Sequence, residues 1–63
     1  MLCIVAVRSK VNGKWGYCPE YAIALLKPEY CEDAYCDTAE QAIQAAKRDN
    51  SIPKYGTKFK ILE

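Results

Sequence analysis

One stretch, Asp37 to Asn50, constrains this chain more than any other, because it carries a helix signature at both ends. Asp37 or Thr38 can cap the first turn with a side-chain oxygen, and Glu40, three residues after Asp37, completes a capping-box pattern. Lys47 and Arg48 suit the negative end of the helix dipole. Asn50 can take a left-handed exit conformation, and Pro53 forbids much continuation. Between these ends Ala39, Ala42, Ile43 and Ala46 recur at three- and four-residue spacing and form one apolar stripe. Only Ile43 among them is large. A stripe made mostly of alanine buries little area, so the helix has to lie close against a sheet that supplies bulkier side chains.

The sheet is legible upstream and downstream. Met1 to Lys10 is rich in Ile and Val and reads as a strand. Asn12-Gly13 follows, a strong hairpin signal because a type I′ turn wants positive φ at both central positions. With those two residues as the loop, Val11 pairs with Lys14, Lys10 faces Trp15, Arg8 faces Tyr17 and Val7 faces Cys18. One face then holds Leu2, Ile4, Ala6, Arg8, Lys10, Trp15, Tyr17, Tyr21 and Ile23; the other holds Cys3, Val5, Val7, Cys18 and Ala22. Both faces are apolar near the base of the hairpin, so one is expected under the helix and the other under a loop, a partner or a ligand.

Pro19 cannot donate to a ladder, which makes the second strand an edge strand or ends it at Cys18. For residues 19 to 26 a continuing strand competes with a short helix or turn, and Pro19-Glu20 at a first turn favours the latter. Lys27 to Tyr30 reads as a turn, Cys31-Glu32-Asp33 as an acidic loop, and Ala34-Tyr35-Cys36 as a short strand leading into the helix. After the helix, Thr57 to Leu62 alternates Lys58 and Lys60 with Phe59 and Ile61, a half-buried strand. The fold class that follows is α+β: a small ββ(β)αβ domain, one unit over residues 1–63, with an antiparallel or mixed sheet and one amphipathic helix packed on one face.

Sixty-three residues bury only about 60% of their unfolded surface, so stability is marginal without help from dimerisation, disulfides or a metal. The four cysteines, Cys3, Cys18, Cys31 and Cys36, contain no Cys-x-x-Cys, and the chain has no histidine, so paired-knuckle zinc spacing is absent. Four reduced thiols acting as small apolar residues is the leading reading, with a Cys31–Cys36 bridge or a metal as alternatives. In the expected register Cys3 and Cys18 sit roughly 13 Å apart, too far to bridge. No secretory segment or membrane-length apolar run is visible, and a cytoplasmic protein without membrane contact is expected.

The sequence offers little for catalysis. A reactive cysteine needs a base or a cationic field, and the best-placed one, Cys36 before the helix, has the carboxylate of Asp37 as its neighbour instead. Glu29, Glu32 and Asp33 follow no calcium-loop spacing, and no glycine loop for phosphate is present. The expectation is a non-enzyme with no cofactor and no metal.

Net charge is only +1, yet the chain runs basic, then acidic, then basic. That pattern gives either a two-signed surface or solvated loops that neutralise one another on folding. Two surfaces stand out. Tyr30, Glu32, Asp33 and Tyr35 combine tyrosine with carboxylates and suit the basic groove of another protein, which points to a small inhibitor or adaptor acting by occlusion, of the kind mobile elements encode. Arg8, Lys10, Lys14, Trp15 and Tyr17 combine cations with planar rings and suit single-stranded nucleic acid. The first is the leading reading, the second its alternative, and a homodimer is expected to cover spare apolar surface.

Overall fold

A computed structural model describes residues 2–23 and 34–62. It contains β1 (Leu2–Arg8), β2 (Trp15–Pro19), a 3₁₀ turn at Glu20–Ala22, α1 (Ala39–Arg48) and β3 (Thr57–Ile61). The sheet order is β2-β1-β3, with β2 antiparallel and β3 parallel to β1. This is a small α+β domain with a mixed three-stranded sheet. The stretch 24–26, the turn at 27–30 and the acidic loop at 31–33 lie outside the described residues.

β1 is central because it alone can be buried on both faces. Ile4, Val5, Ala6 and Val7 are all buried, the first three to 1% exposure or less, as a near-continuous apolar run demands of an inner strand. α1 covers the face that carries Ala6, and its buried residues are Ala39, Ala42 and Ala46, the alanine stripe. Trp15, Ile43 and Ala45 pack around that contact. On the opposite face the 3₁₀ turn lies against β1 and buries Ala22. Glu20 in that turn makes an ion pair with Lys60 of β3 and so straps the face across.

The hairpin register differs from the sequence expectation. Arg8 pairs with Trp15, Ala6 with Tyr17 and Val5 with Cys18, so the loop is wider than the two residues expected. Ser9 N–H donates to the Lys14 carbonyl at 2.7 Å, Gly13 N–H donates to the Ser9 carbonyl at 2.9 Å, and Gly13 takes φ 72°. Local side-chain acceptors decide this. The Ser9 hydroxyl takes the Val11 N–H at 3.1 Å and the Asn12 carboxamide oxygen takes the Lys14 N–H at 2.9 Å, which stabilises a wider turn than Asn-Gly alone would choose. The slip is two residues, so side-chain parity is preserved and the face assignments stand within β1 and β2, while Tyr21 and Ala22 leave the sheet in the 3₁₀ turn and Ile23 caps it. It does bring Cys18 opposite Val5, which leaves Cys3 and Cys18 as diagonal neighbours about 7–8 Å apart instead of four residues removed. Cys3, Cys18 and Cys36 are thiols, not disulfides.

The helix ends also resolve differently. Thr38 is the N-cap and accepts the Gln41 N–H at 3.1 Å, while the Gln41 carboxamide oxygen accepts the Asp37 N–H at 2.9 Å. Gln41, not Glu40, therefore closes the first turn, its side chain reaching back to the residue before the cap, because the cap lies one residue later than Asp37, whose carboxylate is engaged by Lys14. At the other end the chain leaves through Asp49, extended at φ −73°, ψ 117°, one residue before Asn50. Lys54 Nζ donates to the Lys47 carbonyl at 2.8 Å and satisfies one of the exposed last-turn acceptors.

Candidate partner-binding surface

The segment 34–37 is fastened along the outer edge of β2. Trp15 N–H donates to the Cys36 carbonyl at 2.7 Å and Cys36 N–H returns a bond to the Trp15 carbonyl at 3.0 Å, so the expected short strand at 34–36 is reduced to one antiparallel bridge. Asn12 Nδ2 donates to the Ala34 carbonyl at 2.9 Å, and Lys14 Nζ meets Asp37 Oδ1 at 2.6 Å. Gly16 makes the approach possible, since a Cβ there would stand 3.3 Å from Ala34 Cβ. Strand-like alternation then turns Ala34 and Cys36 inward, both 7% exposed, and Tyr35 outward at 69%.

Tyr35 stands at one end of a shallow groove of about 430 Å³ that runs past Glu40 and Gln44 to Arg48 on the outer side of α1. Its backbone is held from both sides and its ring is open. That combination presents a large amphipathic contact with little ordering cost on binding. Tyr30, Glu32 and Asp33, the rest of the expected partner surface, lie outside the described residues.

The hairpin residues are placed otherwise. Trp15 is half-buried against the Ala6, Cys36, Ala39 and Ala42 cluster. Tyr17 donates its hydroxyl to Asp49 Oδ2 at 2.6 Å. This bond, with desolvation behind it, pushes the Tyr17 phenol up to about 12, and the same bond, helped by the Ser51 hydroxyl and N–H, draws Asp49 down to about 2. Lys14 holds the Asp37 carboxyl below the usual range. Arg8 Nε donates to the Gly13 carbonyl at 3.1 Å. Arg8 and the exposed Lys10 line a cleft of about 660 Å³ with Val7, Ile23 and Leu62. The structure thus brings Arg8 and Lys10 together at the hairpin end, while the two rings face the helix.

Sequence reasoning missed Asn12 and Asp49. Asn12 reads as a turn residue, yet it ties the loop to position 34; Asp49 reads as a helix-end residue, yet it gathers Tyr17 and Ser51. The tie from Asn12 to Ala34 and the one from Tyr17 to Asp49 each span more than twenty positions, and no local pattern announces them. Among the described residues no three Cys, Asp or Glu side chains converge to hold a metal ion, and no helix is long and apolar enough to cross a membrane. No family model matches the chain, and neither a curated protein nor a solved structure does.

Proposed function

We propose that this chain is a non-catalytic protein-binding module, an inhibitor or adaptor that occludes a basic groove on its partner through Tyr35 and the acidic stretch that contains Tyr30, Glu32 and Asp33. One observation carries the reading: Tyr35 is open at 69% on a backbone pinned by Asn12 and Trp15. Exposed tyrosines on rigid backbone are favoured contact residues, and carboxylates beside them set the sign of the partner.

The alternative is single-stranded nucleic acid at Arg8, Lys10, Lys14, Trp15 and Tyr17. It has cations in its favour, but its rings are engaged in packing and in the bond to Asp49, and Lys14 is neutralised by Asp37. Stacking needs an open ring face. Homodimerisation and a cytoplasmic site of action belong to the same proposal.

The test compares the native protein with Tyr35→Ala and with Glu32→Lys/Asp33→Lys as baits in a nuclease-treated lysate of its own cells. A partner retained by the native protein and lost from both variants supports the reading. A captured set that both variants leave unchanged overturns it. Quenching of Trp15 by a short single-stranded oligonucleotide, weakening steeply with salt, moves the assignment to the hairpin.

A further inference from the structure

The two edges of the sheet are treated differently. The outer edge of β2 is met by Cys36 and closed by Pro19. The outer edge of β3 is paired with no described residue. Leu62 N–H donates to the Ala6 carbonyl at 2.8 Å, and in a parallel ladder residues of that parity direct both backbone groups inward. Lys58 and Lys60 therefore spend their N–H and C=O on β1. Those of Thr57, Phe59 and Ile61 point out of the sheet, a ready template for another strand.

The side chains around this template say what kind of strand fits. Lys58 and Lys60 project on the face away from α1, and Lys58 has no ion pair among the described residues. On the helix face Lys47 stands over the Phe59 ring, 5.5 Å from its centroid, with Lys54 bonded to the Lys47 carbonyl. Ile61 is 44% exposed and Leu62 38%, so apolar surface continues to the rim. On the face away from the helix Lys60 shares its charge with Glu20, so Lys58 supplies most of the cationic character there, with Lys47 on the other face and apolar surface between them. A second copy is a poor occupant: a two-fold antiparallel pairing keeps each face on its own side and sets lysine against lysine, which is destabilising.

We propose that the outer edge of β3, unpaired among the described residues, accepts an extended acidic segment of another protein as a fourth strand, with carboxylates opposite Lys58 and Lys60 and apolar side chains over Phe59 and Ile61. Main-chain bonds to Thr57, Phe59 and Ile61 give the affinity, and the lysines select the sequence. This site is at the opposite sheet edge from Tyr35 and stands independently of that surface.

The probe is a synthetic peptide of about seven residues, the length of an ordinary strand, with glutamate alternating with valine; a lysine-for-glutamate version is its control. Binding is followed by amide hydrogen exchange and by peptide fluorescence anisotropy. Expected is protection of the Thr57, Phe59 and Ile61 amides by the acidic peptide, with the Lys58 and Lys60 amides already protected without it. Lys58→Glu should weaken binding about tenfold, the effect of reversing one close charge pair. Ile61→Pro, which removes an outward N–H and no bond to β1, should abolish it. The proposal is overturned if the three outward amides stay unprotected at millimolar peptide, if the lysine peptide or a single-stranded oligonucleotide protects them equally, if neither variant changes the affinity, or if those amides are protected in the free protein by dimerisation.

Discussion

Replacing Ala42 with leucine should destabilise this domain by roughly 1–3 kcal/mol, the usual cost of forcing extra carbons into a packed contact. Ala42 is 0% exposed and belongs to one cluster with Ala6, Ala39 and Cys36, so the helix meets the central strand through residues with little or no side chain beyond Cβ. Leucine adds three carbons at this point. They fit only if α1 lifts from β1, which also strains the Trp15–Cys36 bridge and the Tyr17–Asp49 bond, or if a neighbour leaves its rotamer. A domain of 63 residues holds about 3–9 kcal/mol in all, so the loss is a large share. At about 4–8 °C per kcal/mol for this size, the melting temperature should fall by roughly 5–20 °C. The assay is thermal and urea unfolding followed by far-UV circular dichroism, with Gln44→Leu as control. Gln44 is on the same helix and exposed, so its leucine should change stability by less than about 0.5 kcal/mol. Equal or greater stability of Ala42→Leu would refute the close alanine contact and mean that helix and sheet stand far enough apart to admit a large side chain.

Other outcomes follow from the same geometry. The Asp49 carboxyl, lowered from 3.8 to about 2, contributes stability present above 3.8 and lost as pH falls towards 2; the Tyr17 phenol, raised from 10.0 to about 12, contributes stability present below 10.0 and lost as pH rises towards 12. Tyr17→Phe should flatten both limbs of the melting profile and return the Asp49 titration, followed by NMR, towards the ordinary value; an unmoved Asp49 would mean the hydroxyl is not its main partner. Gly16→Ala should force Ala34 back by a few tenths of an ångström, since its Cβ would stand 3.3 Å from Ala34 Cβ, and loosen the neighbouring bridge enough to accelerate exchange of the Cys36 amide; an equally protected Cys36 would remove glycine from the explanation. Asn12→Ala strips the Ala34 carbonyl and the Lys14 N–H of a partner each and should cost about 1–2 kcal/mol in urea unfolding, against no change if water replaces both bonds.

The parts of this fold that were legible in the sequence are the ones encoded by local pattern. The helix, its alanine stripe and its need for a close sheet follow from residues 39–46 alone, and the structure buries Ala39, Ala42 and Ala46 as that pattern requires. The hairpin was legible in its faces but not in its register, because parity depends on alternation along one strand while register depended on how Ser9 and Asn12 spend their side-chain oxygens. Thr38 against Asp37 as the cap was decided by Lys14, far away in sequence. In the candidate site, the exposure of Tyr35 follows from alternation with Ala34 and Cys36. The face assignment placed Trp15 and Tyr17 beside Ala6, and their turn towards the helix followed only once that face proved to be the covered one. What could not be read was which face the helix would take, since both are apolar at the base of the hairpin.

The lysines of β3 make ionic strength the sharpest discriminator between ways of using its edge. Lys58 and Lys60 would oppose lysines in a two-fold pairing of copies, so salt, which screens like charges over about 8–10 Å at ordinary concentrations, should favour self-association through this edge. An acidic strand from another protein is attracted by the same charges, so salt should weaken it. The two uses therefore respond with opposite sign, and one titration separates them. Sedimentation of the protein alone and anisotropy of the glutamate peptide, both followed from low to high salt, should show an association state that does not grow with salt and a peptide affinity that declines. Lys58→Glu places acid and base alternately along the strand and should invert the first result, because the introduced carboxylate would then oppose Lys60 of a second copy. A native protein that dimerises more as salt rises, with Thr57, Phe59 and Ile61 amides protected in the dimer, would show that the lysines only restrain self-pairing. In that case selection of an acidic partner would have to be given up.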